Sequence, residues 1–184
     1  MTTAIAGETV LLDRAVKGDM DAFMALVDGY DDILRAYVFG IVGDAFRMDD
    51  VMQETTIKAY RSLGSFNRKS SFKTWIYRIA HNTALDDVRR NSKVVSIDPA
   101  TVHQIADSAP SISTSVAGRL DIQRALERLT PAHRTAVLMI DAHGFDYSTA
   151  AEIIGVPRGT VASRVNEARS QLRRLLDLDL KDQL

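Results

Sequence analysis

Residues 148–169 read Ser-Thr-Ala-Ala-Glu-Ile-Ile-Gly-Val-Pro, then Arg-Gly-Thr-Val-Ala-Ser-Arg-Val-Asn-Glu-Ala-Arg, a pattern that fits two short helices across a tight turn. Ser148 is placed to cap the first helix, Gly155 supplies the left-handed residue that stops it, and Pro157 opens the second. Val161, Val165, Ala168, Leu172 and Leu175 follow at spacings of four, three, four and three, which is one helical stripe. Together these features make a helix-turn-helix pattern.

The same periodicity runs through the rest of the chain. Phe23, Leu26, Val27, Tyr30, Leu34, Tyr37, Val38 and Ile41 predict one amphipathic helix, bounded by Gly18-Asp19 and Gly43-Asp44. Met48, Val51, Met52, Thr55, Ala59 and Leu63 mark a second helix, ended by Gly64-Ser65. After a loop over 64–71, Phe72, Trp75, Ile76, Ile79, Ala80 and Thr83 start a third, running to about Arg90. From Ser92 to Ala117 the period disappears, and Lys93 is the last basic residue before Arg119. A structureless stretch of that length inside one compact domain is uncommon, so it predicts a flexible linker between two small helical domains. Helical pattern resumes at Leu120, and Thr130-Pro131 reads as a cap followed by proline at the first helical position. His143-Gly144 ends the helix so opened. The expected fold is all-α, with domains at 1–91 and 119–184 and the linker at 92–118.

Charge is divided along the chain. The net charge is −1, yet residues 1–57 hold 4 basic and 11 acidic side chains, while 58–93 hold 9 and 2. Arg158 to Arg174 adds five arginines against one glutamate. Two basic segments, each on a helix with a further motif, point to nucleic acid. In the first of them, rings and cations interleave (Tyr60, Arg61, Phe66, Lys73, Trp75, Arg78), which suits a surface that holds single-stranded DNA, although Phe72, Trp75 and Ile79 also fall on a core-facing stripe that would pack the indole as readily as stack it. On the last helix, Arg158, Thr160, Ser163, Arg164 and Glu167 lie off the Val161/Val165 stripe, where arginine can reach guanine and hydroxyls can reach bases or phosphates. Arg169, Arg173 and Arg174 lie further along, towards phosphate or solvent. On the second helix Asp50, Gln53 and Glu54 share an exposed face suited either to solvent or to a basic partner helix.

The order of Asp-Asp-Val-Met-Gln-Glu-Thr (49–55), Phe72 to Arg90, a polar linker and Leu129 to Leu176 resembles the extracytoplasmic-function sigma factors of bacterial RNA polymerase. The resemblance spans roughly residues 20 to 176. It implies a sigma domain two and a sigma domain four, with core RNA polymerase, promoter DNA and an anti-sigma factor as partners. By that resemblance Asp50, Gln53 and Glu54 dock on the beta-prime clamp helices, and the second domain meets the beta flap. The loop 64–71, with Phe66 and Asn67, matches the segment that captures a flipped base of the −10 element. Lys73, Trp75, Arg78, Asn82, Arg89 and Arg90 match the helix that meets that element. Arg158, Thr160, Ser163, Arg164 and Arg169 match the helix at the −35 element. The chain departs from the family in two places: His81 stands where a basic arginine is expected, and Met48-Asp49-Asp50 replaces Ala-Glu-Asp.

A conventional helix-turn-helix regulator is the alternative, but it leaves the Asp50/Gln53/Glu54 patch and the aromatic-basic segment without a purpose. Catalysis is not expected. There is no cysteine, no H-E-x-x-H and no phosphate-binding glycine loop. His81 with Asp86 and Asp87 has spacings of five and six, which do not share a helix face. His103, His133 and His143 read as surface or capping residues. No cofactor and no metal site is expected. The N-terminus lacks a signal-peptide pattern, and no apolar run approaches the ~20 residues of a spanning helix, so a cytoplasmic chain without membrane insertion is expected.

Overall fold

The computed structural model describes residues 7–94 and 116–181. His103 and most of the expected linker lie outside them. Among the described residues all regular structure is helical.

Two helices, α1 (Glu8–Val16) and α2 (Met20–Asp28), pack on each other. Next come α3 (Asp31–Val42) and α4 (Ala45–Ser62), a single 3-10 turn (Leu63–Ser65), and α5 (Phe72–Val94). Helix α5 lies against α3 and α4. The second unit contains α6 (Val116–Glu127), α7 (Pro131–Val137), a π-helical turn (Leu138–Ala142), α8 (Tyr147–Ile154) and α9 (Arg158–Lys181).

The helix starts follow side-chain chemistry. Asp19 accepts from the Ala22 N–H at 3.0 Å, Asp44 from Arg47 at 2.8 Å, and Thr130 Oγ1 from His133 at 3.3 Å. Each relieves a backbone donor that the first helical turn leaves unpaired. Gly43 (φ 72°) and Gly155 (φ 75°) end α3 and α8 in the left-handed conformation that only glycine adopts cheaply.

Three expectations about the elements need correction. The single helix across residues 23–41 is broken at Gly29-Tyr30, although every residue of its apolar stripe is buried. Asp31 and Asp32 occupy the first turn of α3, where the positive end of a new helix dipole favours them. Tyr30 turns inward at the break, donates to Glu8 of α1 at 2.5 Å and packs on Phe72. The second correction is at the linker: α5 runs to Val94 and α6 begins at Val116, so helix enters the expected 92–118 span from both sides. The third is the cap of α8, which is Asp146 in place of Ser148. Its carboxylate, one residue outside the helix, accepts from both Ser148 and Thr149 N–H.

The two units are not independent bodies in this arrangement. Their buried residues form one continuous cluster, with α3 against α6 and α7, and α5 along α8. Leu138 lies on the backbone of α3 at Gly40, where a Cβ would come 2.9 Å from its Cδ1. The Arg134 guanidinium is buried. It donates to Ile41 O at 2.6 Å across the boundary, and to Glu127 O (2.7 Å) and Leu129 O (3.3 Å) within its own unit.

Candidate nucleic-acid interface

Helix α4 carries the acidic face. Asp50 and Gln53 are exposed, because Val51, Met52 and Thr55 turn the opposite side into the core. Glu54 is half-buried and paired, with Lys58 at 2.9 Å and Arg90 of α5 at 3.2 Å. Its carboxyl pKa is lowered, chiefly by the hydrogen bond from Lys58. Glu54 is therefore a tie between α4 and α5 as well as a surface group. Beside it Arg47 grips the nearly buried Asp87 through two nitrogens, at 2.5 and 2.9 Å.

The loop after the 3-10 turn and the start of α5 form an aromatic cluster. Phe66 lies 5.1 Å from Trp75 and 6.2 Å from Phe72, ring to ring. Only 9% of Phe66 is exposed, so its ring is a packing element, contrary to its expected place in base capture. The apolar environment of Phe72 and Trp75 draws it inward. Asn67 is exposed, and its side-chain oxygen accepts from the Lys69 N–H at 3.1 Å, which shapes the loop. Arg68 adopts φ 58°, a left-handed conformation for a non-glycine residue, and is paired with Asp13 of α1. Trp75 is half-buried.

Along α5, Asn82, Arg89 and Arg90 are exposed. His81 is not. It is 1% exposed, shares a 3.0 Å hydrogen bond with Tyr37, and burial pushes its pKa down to about 4. It therefore belongs to the core, and its departure from the family pattern does not touch a phosphate contact. Lys73 and Arg78 reach towards the second unit. Lys73 Nζ sits 4.6 Å from the Phe145 ring centre, and Arg78 donates to Glu152 of α8 at 2.6 Å.

In the helix-turn-helix of α8 and α9, Arg158 and Ser163 are exposed and Thr160 is half-buried. Ser163 Oγ donates back to Thr160 O at 3.0 Å. Arg164 is half-buried, not fully outward as its spacing suggested. It lines a cleft of about 400 Å³ between the units, together with His81, Val88, Arg89 and Val156. Arg169 is exposed but engaged by both carboxylate oxygens of Asp141, at 2.5 and 2.9 Å, which raises its already high pKa. That pair joins α9 to the π-helical turn, so Arg169 meets DNA only by leaving Asp141.

Two residues that sequence reasoning placed elsewhere or passed over sit at the boundary of the units. His143 is the expected cap, its N–H donating to Leu138 O at 3.0 Å at the end of the π-helical turn, but its half-buried ring faces the first unit. It shares a 3.1 Å hydrogen bond with Tyr77, and its ring centre lies 5.3 Å from that of Tyr37. Burial pushes its pKa down to about 4. Glu152 is the partner of Arg78. The local cue available was Gly40, a glycine in the apolar last turn of α3.

Comparison with known proteins agrees with this layout. Residues 26–94 match the model of Sigma-70 region 2, and residues 119–172 match that of Sigma-70, region 4. The chain is 36% identical over 166 residues to the ECF RNA polymerase sigma factor SigM of Mycobacterium tuberculosis, covering 90% of this chain and 83% of that one. It is 30% identical over 176 residues to the ECF RNA polymerase sigma factor SigW of Bacillus subtilis, covering 90% and 94%. Among solved structures it resembles the sigma factor RpoE in complex with the anti-sigma factor NepR from Bartonella quintana. That likeness has a TM-score of 0.68 at 31% identity and covers 80% of this chain and 91% of that one. With two region models matched in order, and whole-length relatives at this identity, the chain belongs to the family of extracytoplasmic-function RNA polymerase sigma factors.

Proposed function

We propose that this chain binds core RNA polymerase, brings it to a promoter and helps melt the −10 region, with residues 1–91 and 119–184 as its two working domains. The observation that carries this reading is the coexistence, in one 184-residue chain, of an exposed acidic face on α4, an aromatic-cationic surface on α5 and a helix-turn-helix. A conventional regulator needs only the last. Asp50 and Gln53, with Glu54 behind them, meet the beta-prime clamp helices, and the second domain meets the beta flap. Asn67, the half-buried Trp75, Lys73, Arg78, Asn82, Arg89 and Arg90 serve the −10 element. Phe66 supports them from below by fixing the indole. Arg158, Thr160, Ser163 and Arg164 read the −35 element. The chain works in the cytoplasm, catalyses nothing itself, and is held in reserve by an anti-sigma factor, as the likeness to the RpoE–NepR complex supports.

The direct test is reconstitution. The purified chain with core polymerase should start transcripts from promoters selected out of a random library, and core polymerase alone should not. Sequence-specific duplex binding by the chain alone, with no affinity for core polymerase, would instead identify a regulator.

Two variants probe the division of labour. Asp50→Lys should weaken core binding at least tenfold while thermal stability stays within ~0.5 kcal/mol, since the side chain is exposed and holds nothing in place. Asp50 is a cleaner probe than Glu54, whose reversal would also set a lysine against Lys58 and Arg90. Unchanged core affinity would remove α4 from the docking surface. On α9, Arg164→Ala in the holoenzyme should cost ~1–3 kcal/mol and relax preference at one or two −35 positions. Arg173→Ala should weaken all sequences alike and flatten the salt dependence by about one unit. Equal losses on every single-base variant for Arg164→Ala would show that it does not read sequence.

A further inference from the structure

We propose that Asp13 on α1 is a positioning residue for the −10 contact, holding the loop 64–71 through Arg68 in the shape that presents Asn67. The proposal rests on the assignment of that loop to the −10 element. Both ends of the loop are fixed by neighbours in sequence. The Phe66 N–H donates to Leu63 O at 3.0 Å, Ser65 Oγ donates to Ser62 O at 2.7 Å, and the Phe66 ring packs on Phe72 and Trp75. At the far end Ser71 Oγ accepts from the Thr74 N–H at 3.0 Å and caps α5. Asn67, Arg68 and Lys69 lie between these anchors, all exposed. Among the described residues, the hold on them from outside the loop is the ion pair of Arg68 with Asp13, 55 residues away.

The backbone shows why that hold matters. Arg68, at φ 58°, is the only non-glycine residue with a positive φ among the described residues. A Cβ crowds the following carbonyl in that conformation, so it persists where a contact from outside favours it. The turn at Arg68 brings the Lys69 N–H back to Asn67 Oδ1 at 3.1 Å. That bond orients the Asn67 amide and leaves its NH2 as the donor for a base. Asp13 itself stands on a fixed platform. Leu12 and Ala15 bury the other side of α1, Glu8 accepts from the Tyr30 hydroxyl at 2.5 Å, and the helix touches the 3-10 turn where the loop begins. Helix α1 precedes residues 26–94, so it enters the site from outside the segment that matches region 2. An exposed ion pair shifts an equilibrium by about two- to fivefold and is screened by salt. That suffices to bias a loop and is too little to hold up a fold.

The test uses holoenzyme on pre-opened templates made from a promoter selected out of a random library. Their non-template strand carries each of the four bases at each −10 position in turn. Asp13→Ala should reduce the preference at one −10 position by about two- to fivefold. Preferences at the other −10 positions and at the −35 element should stay at parent values, as should the melting temperature. Base preference is a ratio of affinities on otherwise identical templates, so phosphate contacts cancel from it. Added salt should therefore erode the preference at that position in the parent and leave it unchanged in Asp13→Ala. Asp13→Arg combined with Arg68→Asp reverses the pair and should restore the parent preference, since aspartate tolerates the left-handed conformation. A second readout needs neither DNA nor polymerase. Trypsin cuts after Lys69 when the loop opens, and Asp13→Ala should speed that cut in the full chain by about two- to fivefold. A loss of preference spread evenly over the −10 positions would overturn the proposal, as would a reversed pair that fails to restore it. Unchanged cleavage would overturn it too and leave the sigma-factor reading standing. Holoenzyme that makes no transcript would overturn that reading, and the proposal with it, whatever the cleavage rate.

Discussion

Arg134→Met is expected to lower unfolding free energy by about 3–5 kcal/mol, and to split one urea transition into two. The side chain is 9% exposed, and burial lowers its pKa by disfavouring the charge. What keeps the guanidinium there is geometry. Ile41 O lies in the last turn of α3, Glu127 O ends α6, and Leu129 O follows it. Carbonyls at helix C-termini lack intrahelical donors and carry the negative end of the dipole, so one planar cation satisfies the ends of two helices from two units. Methionine conserves the volume of the stem and leaves those carbonyls buried without a donor. Lysine is a point charge on a flexible stem and cannot span the three, so Arg134→Lys should recover less than half of the loss. Because the contact crosses the boundary, its removal weakens the coupling as well as the second unit. Denaturation followed by the single Trp75, in the first unit, and by a probe in the second should coincide in the parent and separate in the variant. Coincident transitions in Arg134→Met, or a loss below 1 kcal/mol, would show that the buried guanidinium is not a joint.

Local physics carried the sequence reading a long way. The apolar stripes of α4, α5 and α9 turn inward where the period of 3.6 puts them, with Met48, Trp75, Ile79, Leu172 and Leu175 half-buried and the rest buried, and the caps at Asp19, Thr130, Gly43 and Gly155 act within a few residues of themselves. The break at Gly29-Tyr30 was hidden because both helices keep the same face towards the core, so the stripe runs on while the axis turns. The candidate site was legible in residue types and less so in exposure. Phe66 and His81 look like surface groups in sequence, and only the packing of Trp75, Phe72 and Tyr37 around them draws them inward. The pairs that join the units, Arg78 with Glu152 and Arg134 with Ile41, lie 74 and 93 residues apart. No local pattern encodes such separations, and a reading built on separable domains looks away from them.

Acid should loosen this protein well above the range in which its carboxylates titrate. His81 and His143 each have a pKa pushed down to about 4 by burial, from an ordinary 6.5. The groups facing them do not favour the charged form. Tyr37 and the Arg89 field act on His81, and Tyr77, Tyr37 and Lys73 act on His143. In the folded state both rings stay neutral through pH 5, while in the unfolded chain both take a proton as pH falls through 6.5. The unfolded state then binds more protons, so stability rises with pH across the interval from about 4 to 6.5 and is lost on acidification through it. Between pH 7 and 5 each histidine contributes a loss of at most ~2 kcal/mol, and the two together ~4 kcal/mol, on the order of a third to a half of a typical domain's stability. Glu54, Asp19 and Asp146, whose pKa values are lowered, add to the loss only below their unfolded values of 4.5, 3.8 and 3.8. Urea midpoints at half-unit steps from pH 7.5 to 4.5 give the profile. His143→Phe keeps a ring against Tyr37 and Tyr77 without a titrating nitrogen, and it should roughly halve the slope between pH 5 and 6.5. Its effect should appear first at the boundary between the units, where His143 meets Tyr77 and Tyr37, as a rise in their separation in the parent near pH 5 that the variant lacks. A parent profile flat from pH 7 to 5, or a His143 ring that titrates near 6.5 by NMR, would place that histidine in solvent, away from Tyr77 and Tyr37.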